Sequence, residues 1–364
     1  MRQAIEYFLA LYRAPGVGAV TFARMLQQVE SPAQWFEDVG LRQDLPDKLR
    51  AYLISPDWAG VEQDLAWAQG DGRGIISCAD PEYPASLSDL TVRPPLIFWQ
   101  GDASLLHRPQ LAVVGSRNPT ADGADNAFAF AKFLAAQGLV ITSGLAQGID
   151  AAAHRGALAA GGATIAVMGT GLDRVYPAAN RALAHQIVND GGLLVSEFVP
   201  GTPVLRENFP RRNALISGLS LGVLVVEAAR GSGSLITAKL AGEQGREVFA
   251  VPGSIHNPLA RGCHQLIRQG AKLVETAEDI FEEWQGYLRT EAQPAAPMPE
   301  AALPALDPEY QHLLSSLGYD PQPVDQLVER CGLTADAVCS MLLVLELQGL
   351  VHASSGGRYS RAKV

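Results

Sequence analysis

Residues 111 to 158 read LAVVGSRNPTADGADNAFAFAKFLAAQGLVITSGLAQGIDAAAHRGAL and alternate apolar runs with glycine turns. Leu111 to Val114 has the length and apolar character of a buried parallel strand, and Leu139 to Thr142 repeats it. Apolar residues at helical spacing lie between the two runs and end at Gly138, where a helix C-cap is expected. The alanine-rich segment 151 to 160 predicts a second helix. Strand, turn, helix, strand, turn, helix is the βαβ pattern, which predicts a doubly wound parallel sheet.

Ligands of such sheets lie where the strands end, so we expect the turns GSRNPT and SGLAQGID to face one crevice. Their backbone N–H groups at helix N-termini suit phosphate, and Arg117 adds a fixed charge. The alternative interpretation is that Gly115, Gly144 and Gly148 only allow tight strand-to-helix connections. GSRNPT does not follow the GxGxxG pattern and the chain has no GxxxxGK[ST] loop, so no nucleotide cofactor is expected.

Further strands are predicted on both sides of this unit, and each of the later ones ends in a loop rich in Gly, Pro, Ser or Asn. Such loops along one edge predict a continuous groove in preference to a single small pocket. The additional strand-like runs are Gly74 to Cys78, Leu96 to Gln100, Thr164 to Met168, Leu193 to Ser196, Val223 to Val226 and Glu247 to Val251.

Length and composition describe a globular protein. A chain of 364 residues with 48% hydrophobic and 18% charged residues predicts two or three domains. The first apolar run is interrupted by Glu6, is too short to span a bilayer and is followed by no signal-peptide cleavage pattern, so a cytoplasmic location and no membrane association are expected. The four cysteines form no CxxC pair, which indicates neither a zinc site nor a disulfide framework.

The charge distribution favours an anionic partner for the middle of the chain. The net charge is −10 overall, but residues 111 to 253 carry 11 basic and 10 acidic groups, whereas both flanking regions are acidic. Only five of the 28 basic residues are lysine, and arginine is the better phosphate ligand and the better stacking cation. We therefore expect a basic crevice on an acidic protein, with binding that weakens as salt is raised.

Two segments near the predicted groove have compositions suited to nucleic acid. RENFPRRN, residues 206 to 213, places three arginines around Phe209, the combination of charge and ring that single-strand binders use. Phe209 in the core is the alternative. Ser232, Gly233 and Ser234 precede a predicted helix and offer an anion site, or else only a helix cap.

The ends of the chain are predicted to form separate domains. Residues 1 to 71 read as short helices, in which Pro15 to Gly18 resembles a helix-hairpin-helix turn, and a small SAM-like helical bundle for protein contact is the alternative. Residues 286 to 306 are rich in Pro and Ala and predict a linker. Residues 307 to 364 follow a winged-helix pattern. The expected recognition helix, 334 to 348, has no Lys or Arg, which favours a protein-contact or packing role over DNA reading.

Seven motifs in order resemble the DNA-processing protein A family (DprA, also called Smf): VGSRNPT, SGLAQGIDAAAH, TGLDRVYPAAN, FPRRN, SGSLITA, EQGREVFAVPG and GCHQLI. The resemblance runs from about residue 75 to 280. It implies an extended Rossmann-like core over residues 72 to 285 that binds single-stranded DNA, dimerises and loads RecA recombinase during natural transformation and recombination. Ala214 departs from the family pattern, which usually has a second arginine there.

The glycine turns and the resemblance together predict the site residues. The DNA-binding set is Gly115, Ser116, Arg117, Ser143, Gly144, Gly148, Arg181, Phe209, Arg211, Arg212, Asn213, Ser232, Gly233 and Ser234. The resemblance also implies that the segment around His264, Leu266 and Ile267 lies near the dimer and RecA-contacting face.

A Rossmann-like nucleotide-binding enzyme is the alternative function. His154 and four carboxylates are the candidate groups: Asp150, Asp173, Glu197 and Glu227. Nucleoside-monophosphate phosphoribohydrolases use a GGxGTxxE loop, whereas the corresponding segment here has Ala238 and Lys239 near the position of that glutamate. We therefore predict a binding protein that is not an enzyme, with no catalytic residue, no metal and no cofactor.

Overall fold

The computed structural model describes residues 2–88, 90, 92–288, 307–354 and 356–362, and a large mixed sheet dominates it. Nine strands follow the spatial order β1-β2-β6-β5-β4-β3-β7-β8-β9. The strands are β1 (Arg73–Ser77), β2 (Leu96–Gly101), β3 (Gln110–Val114), β4 (Val140–Ser143), β5 (Thr164–Val167), β6 (Leu193–Ser196), β7 (Gly222–Val225), β8 (Glu247–Ala250) and β9 (Lys272–Leu273).

The sheet is parallel from β6 to β9, and an antiparallel pair extends it. β1 pairs with β2, and β2 pairs with β6, both antiparallel. From β3 the chain moves outward through β4 and β5 to β6, then returns to place β7 on the other side of β3. The strand order therefore reverses between β3 and β7, and the crevice at such a point is where ligands of open α/β sheets bind. The predicted α/β class and extended Rossmann-like sheet are confirmed.

Helices cover both faces of the sheet. They are α1 (Ala4–Tyr12), α2 (Ala19–Leu26), α3 (Gln34–Glu37), α4 (Asp47–Ile54), α5 (Trp58–Ala68), α6 (Ala85–Ser88), α7 (Ala121–Ala136), α8 (Ile149–Ala159), α9 (Arg181–Asn189), α10 (Asn208–Leu219), α11 (Gly233–Glu243), α12 (Arg261–Arg268) and α13 (Glu278–Leu288). Alternation along the strands assigns the faces: Ala112 and Val114 pack towards α10 and α11, whereas Leu111 and Val113 pack towards α7 and α8.

The N-terminal helices α1 to α5 share one apolar core with the sheet. Leu9 and Phe22 belong to the same buried cluster as Phe98 of β2 and Leu194 of β6. The Trp67 ring meets the Phe98 ring edge-on, with centroids 6.0 Å apart. This region therefore covers one face of the sheet at its β2 and β6 side.

The C-terminal residues form a second, smaller core. It consists of α14 (Pro308–Ser316), α15 (Val324–Cys331), α16 (Ala335–Leu347) and a three-stranded sheet ordered β10 (Gln322–Pro323), β12 (Arg358–Arg361), β11 (Val351–Ser354). Leu313, Leu327 and Leu342 pack together from the three helices. This is the predicted winged-helix arrangement. The predicted linker, 286 to 306, lies outside the described residues from position 289 onward.

Strand bounds differ from the predicted ones by one residue at most. Two of the features that were not predicted concern the sheet edge and the site. The short strand β9 pairs with β8 at the sheet edge, and the FPRRN segment begins the helix α10. The second difference changes the site, because neighbouring residues of a helix point in directions about 100° apart.

Candidate nucleic-acid interface

A groove lies at the carboxyl edge of the sheet, over the point where the strand order reverses. The turns after β3 and β7, the start of α8 and the first turns of α10 enclose a cavity of about 550 Å³. A smaller cavity of about 180 Å³ adjoins it and shares Arg117, Ala146, Phe209 and Arg212 with it. We call this continuous surface the groove. Of the predicted set, it is lined by Gly115, Ser116, Arg117, Gly144, Phe209, Arg212, Asn213, Ser232, Gly233 and Ser234.

The two glycine turns pack directly against each other beside the groove. The Ile149 N–H donates to the Ser116 carbonyl at 3.1 Å, and the Ser116 N–H donates to the Glu227 carbonyl at 2.7 Å. Gly148 has φ +77°, and a Cβ there would collide with the Ser116 and Arg117 carbonyl oxygens. Glycine at this position is therefore required by the close approach of the two turns.

Arg117 and Arg230 supply exposed positive charge to the groove. Both side chains are exposed and both line the larger cavity. Among the ion pairs of the described residues, neither arginine takes part. Arg230 was not in the predicted set, although it lies in the loop after β7, directly before the GSGS turn, and the other predicted turns also follow strands.

Phe209 is half-buried and forms the wall common to both cavities. The Tyr176 ring centroid lies 5.9 Å from that of Phe209, with the planes inclined by 53°. The guanidinium carbons of Arg117 and Arg212 lie 5.7 and 5.9 Å from the Phe209 centroid. An aromatic surface bordered by cations is thus available in the groove, which is the arrangement on which a nucleic-acid base stacks.

Arg212 is buried beneath the groove, which differs from the solvent-facing contact expected from the sequence. Its guanidinium donates to the Gly144 carbonyl and, at 2.6 Å, to the Val167 carbonyl. These carbonyls follow β4 and end β5, so the side chain ties two strand ends together. Burial lowers the pKa of Arg212 to about 10, and Asp150 opposes that shift. The charge of Arg212 lies in the groove floor, but its hydrogen bonds are made to the protein.

Asp150 completes this buried support. Its carboxylate accepts from the Gly144 N–H at 3.1 Å and from the Ala146 N–H at 3.3 Å. Burial raises the pKa of Asp150, while Arg212 and the two amides lower it. Asp150 therefore fixes the shape of the second glycine turn.

Ser232 to Ser234 begin α11 beside the groove. The Ser232 hydroxyl caps the helix by accepting from the Ser234 N–H at 3.4 Å, and the two hydroxyls lie 2.8 Å apart. The Asn213 amide donates to the Gly233 carbonyl at 3.4 Å, joining α10 to this turn. The helix cap of the alternative interpretation is present, and the N-terminus of α11 also lines the groove.

Arg211 lies outside the groove. Its guanidinium donates to the Glu197 carboxylate at 2.8 Å and to the Tyr12 hydroxyl at 3.1 Å, and packs over the Phe198 ring. Burial raises the pKa of Glu197, and Arg211 acts in the opposite direction. The physical reason is the helix: Arg211 and Arg212 are neighbours in α10, so one faces α1 while the other faces the sheet edge.

Three other predicted contacts also lie apart from the groove. Ser143 is fully buried, and its hydroxyl donates to the Val113 carbonyl at 2.6 Å. Gly148 lies where the two glycine turns approach each other, close to the Ser116 and Arg117 carbonyl oxygens, and does not line the groove. Arg181 begins α9 and lines a different cavity together with Arg73 and Arg174.

The segment predicted to form a dimer or RecA face is the helix α12. His264 and Ile267 are half-exposed, whereas Leu266 is 8% exposed and belongs to the core beneath the helix. Cys263 lies one helical turn before Leu266 and is buried with it, which explains why Leu266 points inward. Of the three predicted residues, only His264 and Ile267 reach the surface.

The groups considered for catalysis are held in structural hydrogen bonds. Glu227 accepts from the Thr120 hydroxyl at 2.7 Å and from the Thr120 N–H at 2.9 Å, at the start of α7. Asp173 accepts from the Gly201 N–H at 2.7 Å. His154 is fully buried, with Nδ1 2.7 Å from the Thr164 hydroxyl. None of these three residues is among those that line the groove.

His154 is expected to make the fold sensitive to acid. Burial lowers the pKa of His154 from 6.5 to about 3. Below pH 6.5 the unfolded chain therefore binds a proton that the folded chain excludes, and stability is lost as pH falls towards 3. Between about pH 7 and pH 4.5 this group alone should cost about 2–3 kcal/mol.

Urea unfolding of the wild type and of His154→Asn at the two pH values measures this contribution. Asp150, with a raised pKa, has the opposite sign and is present in both proteins, so the difference between them isolates His154. Equal pH dependence in the two proteins would contradict the assignment.

Two further properties concern the described residues only. No helix among them has both the length and the apolar composition needed to cross a membrane. Within the same residues, no cluster of three or more His, Cys, Asp or Glu side chains has a metal-binding arrangement.

Comparison with known proteins gives two matches to family models. Residues 74–285 match the model described as DNA recombination-mediator protein A, and residues 295–357 match the model described as DprA winged helix domain. The first covers the large sheet together with the groove. The second overlaps the winged-helix core and begins among residues that the structure does not describe.

Proteins with similar sequences carry names that agree with these family models. Protein Smf of Escherichia coli is 45% identical over 305 residues, covering 82% of this chain and 80% of the relative. DNA processing protein DprA of Streptococcus pneumoniae is 50% identical over 210 residues, covering 58% of this chain and 74% of the relative.

Two solved structures resemble the fold. DprA from Streptococcus pneumoniae has a TM-score of 0.68 and 38% identity, covering 78% of this chain and 98% of that one. DNA processing protein A from Helicobacter pylori, described for its single-stranded DNA binding mode, has a TM-score of 0.53 and 27% identity, covering 59% of this chain and 96% of that one.

Proposed function

Because this chain belongs to the DNA recombination-mediator protein A family, we propose that it has a DNA-processing role in which it binds single-stranded DNA along the groove without chemical change to the DNA. The observation that carries the proposal is the position of the Phe209 ring near two arginines, the exposed Arg117 and the buried Arg212, whose guanidinium carbons lie 5.7 and 5.9 Å from its centroid, beside open turns at helix N-termini. Charge for the phosphates and a ring for a base are what sequence-tolerant single-strand binders combine.

Each part of the groove has a separate task in this proposal. Arg117 and Arg230 contact phosphates, since they are exposed and free of ion pairs among the described residues. The N–H groups at the start of α11 add donors at a positive helix end. Arg212 and Asp150 hold the turns in shape from below. No step of this binding requires a general base, metal or cofactor.

Dimerisation and loading of RecA recombinase on the bound strand during transformation and recombination complete the proposal. Both are inferred from membership of this family and from the seven sequence motifs that resemble it. Two half-exposed side chains of α12, His264 and Ile267, are the residues through which this face would make contact. Two grooves in one dimer would raise the affinity for a long strand through effective concentration.

The winged-helix core is proposed to contact protein. Its third helix, α16, exposes Leu343 by 58% and Leu347 by 81%, and the exposed Cys339 lies one turn before Leu343 on the same side. The helix carries no Lys or Arg, so it has no cation with which to approach a phosphate backbone. Apolar exposure without positive charge supports a protein partner for this helix.

Replacing Phe209 tests the stacking role. Phe209→Ala is expected to weaken single-strand binding about 5- to 150-fold, because a stacked base contributes about 1–3 kcal/mol. Phe209→Tyr keeps the ring and should bind within about threefold of the wild type. Fluorescence anisotropy with a labelled oligothymidylate measures both. Equal affinity of Phe209→Ala and the wild type would exclude stacking on this ring.

A further inference from the structure

A second basic cavity lies next to the groove, beyond the chain segment at Tyr176 and Pro177. It has a volume of about 290 Å³ and extends along α9 towards the antiparallel strands β1 and β2. Its polar lining consists of Arg73, Gln100, Asp173, Arg174, Arg181 and His185. Three guanidinium groups and an imidazole therefore surround one concave surface, with one carboxylate among them.

The positive charge of this cavity exceeds what its carboxylate balances. Asp173 pairs with Arg174 at 3.0 Å and also accepts from the Gly201 N–H at 2.7 Å. Among the ion pairs of the described residues, none includes Arg73, Arg181 or His185. Like charges grouped without a counter-charge are unfavourable, and an anion bound between them would remove that cost.

Arg73 is held in place with a donor unused. Its guanidinium carbon lies 5.3 Å from the Trp67 ring centroid, so the side chain is supported by an aromatic surface. Its Nε is buried and has no hydrogen-bond partner in the structure. Arg73 also lines the cavity, so a ligand there would be positioned to accept from the guanidinium group of this side chain.

Arg181 and His185 contribute from α9. Arg181 is the first residue of that helix, and His185 follows four positions later on the same side. A cation at a helix N-terminus opposes the helix dipole, whereas an anion there is favoured by it. Arg181 therefore gains nothing from the helix dipole, whereas an anion bound beside it would be attracted by both the guanidinium group and the helix end.

The cavity and the groove are separated only by a short segment of chain. Tyr176 and Pro177 line the groove, while Arg174 and Val175 line the second cavity. Consecutive residues thus line the two cavities, which places the second cavity within reach of a strand that extends past Tyr176. Arg181, which the sequence motifs predict in the groove, belongs to this continuation.

We propose that Arg73, Arg174 and Arg181 form a second phosphate subsite that holds a backbone phosphate of the same single strand after it has passed Tyr176. The proposal rests on the proposed function of the groove. The shared chemistry is a phosphate oxyanion held by arginine, which a phosphodiester of a long strand and a free phosphate both offer. Strand length distinguishes the two, because only a phosphodiester subsite makes the effect of substitution depend on length.

The test measures binding of oligothymidylates of roughly 6 and 20 nucleotides to the full chain by fluorescence anisotropy at fixed salt. The double variant Arg174→Ala with Arg181→Ala should bind the short strand within about twofold of the wild type and the long strand about tenfold more weakly. Its salt slope for the long strand should fall by about 0.7 for each phosphate that the variant no longer neutralises. Wild-type affinity for the short strand also shows that the variant is folded.

Two further variants complete the design. Arg174→Lys with Arg181→Lys keeps the charge and should retain most of the long-strand affinity, which separates the loss of charge from a change in packing. Arg108→Ala removes an exposed cation next to β3 at the opposite edge of the sheet and should change neither affinity.

Each outcome has one meaning. A selective loss with the long strand supports the subsite. Equal losses with both strands, or no loss with either, overturn it, and a subsite for free phosphate would give no loss with either. If the wild type binds neither strand, the proposed function fails as well, so the two failures can be told apart.

Discussion

Replacing Arg117 and Arg230 together by alanine is expected to weaken single-stranded DNA binding by about 100-fold or more, because each charged contact to phosphate contributes about 1.5–3 kcal/mol. The two side chains are exposed and both line the larger cavity of the groove. The slope of log affinity against log salt should fall by about 1.4, or about 0.7 for each phosphate released. Anisotropy over a salt series measures both quantities.

Folding should be unaffected in this double variant, because neither side chain is buried. Arg108→Ala provides the matched control, since it also removes one exposed arginine, which bonds the Gly138 carbonyl far from the groove. Unchanged affinity of the double variant, with wild-type circular dichroism, would show that phosphates are not held here.

Arg212→Ala is expected to destabilise the protein by about 3–5 kcal/mol, because the substitution leaves buried partners behind. The Gly144 and Val167 carbonyls lose their donor, and the Asp150 carboxylate loses the cation that opposes its burial. DNA binding should decrease as a consequence of the altered turns. Urea unfolding followed by circular dichroism measures the loss of stability.

Arg206→Ala is the control for this substitution, since Arg206 is exposed and precedes the same helix. It should leave the unfolding midpoint nearly unchanged. An Arg212→Ala protein that is as stable as the wild type but has lost DNA binding would show that Arg212 is a direct ligand, as the sequence alone suggested.

Most of the large sheet can be predicted from the sequence, because its strands are apolar runs bounded by glycine turns. The runs at Leu111 and Thr164 are buried on both faces, and that produces a pattern that is readable without knowledge of their neighbours. The edge strand β9 has two residues and gives no such pattern. The helix α10 begins in the polar segment RENFPRRN, whose composition does not identify it as helical.

The site is less predictable, because residue type does not decide where a side chain points. Arg211 and Arg212 are adjacent and chemically identical, yet one bonds Tyr12 and Glu197 while the other ties strand ends under the groove. Their different partners follow from the helical geometry of α10 and from the packing of α1, which is distant in sequence.

For Leu266 a signal was present in the sequence. Its spacing of three from Cys263 indicates a common apolar face of α12, and both residues are buried. Arg230 also had a signal, because it directly precedes the GSGS turn in the loop after β7. By contrast, the cavity that Arg181 lines is formed together with Arg73, which is distant in sequence, so the local sequence gives no sign of it.

The most direct measurement is a salt-titrated anisotropy comparison of one labelled oligonucleotide as a single strand and as its duplex, with the full chain. Phe209 needs an unpaired base to stack on, whereas the exposed arginines can contact the phosphates of either form, so the stacking contact is what favours the single strand. We predict tighter binding of the single strand, with affinity that falls linearly on a logarithmic salt scale. Equal or tighter binding of the duplex, or affinity independent of salt, would contradict the groove as a single-stranded DNA site.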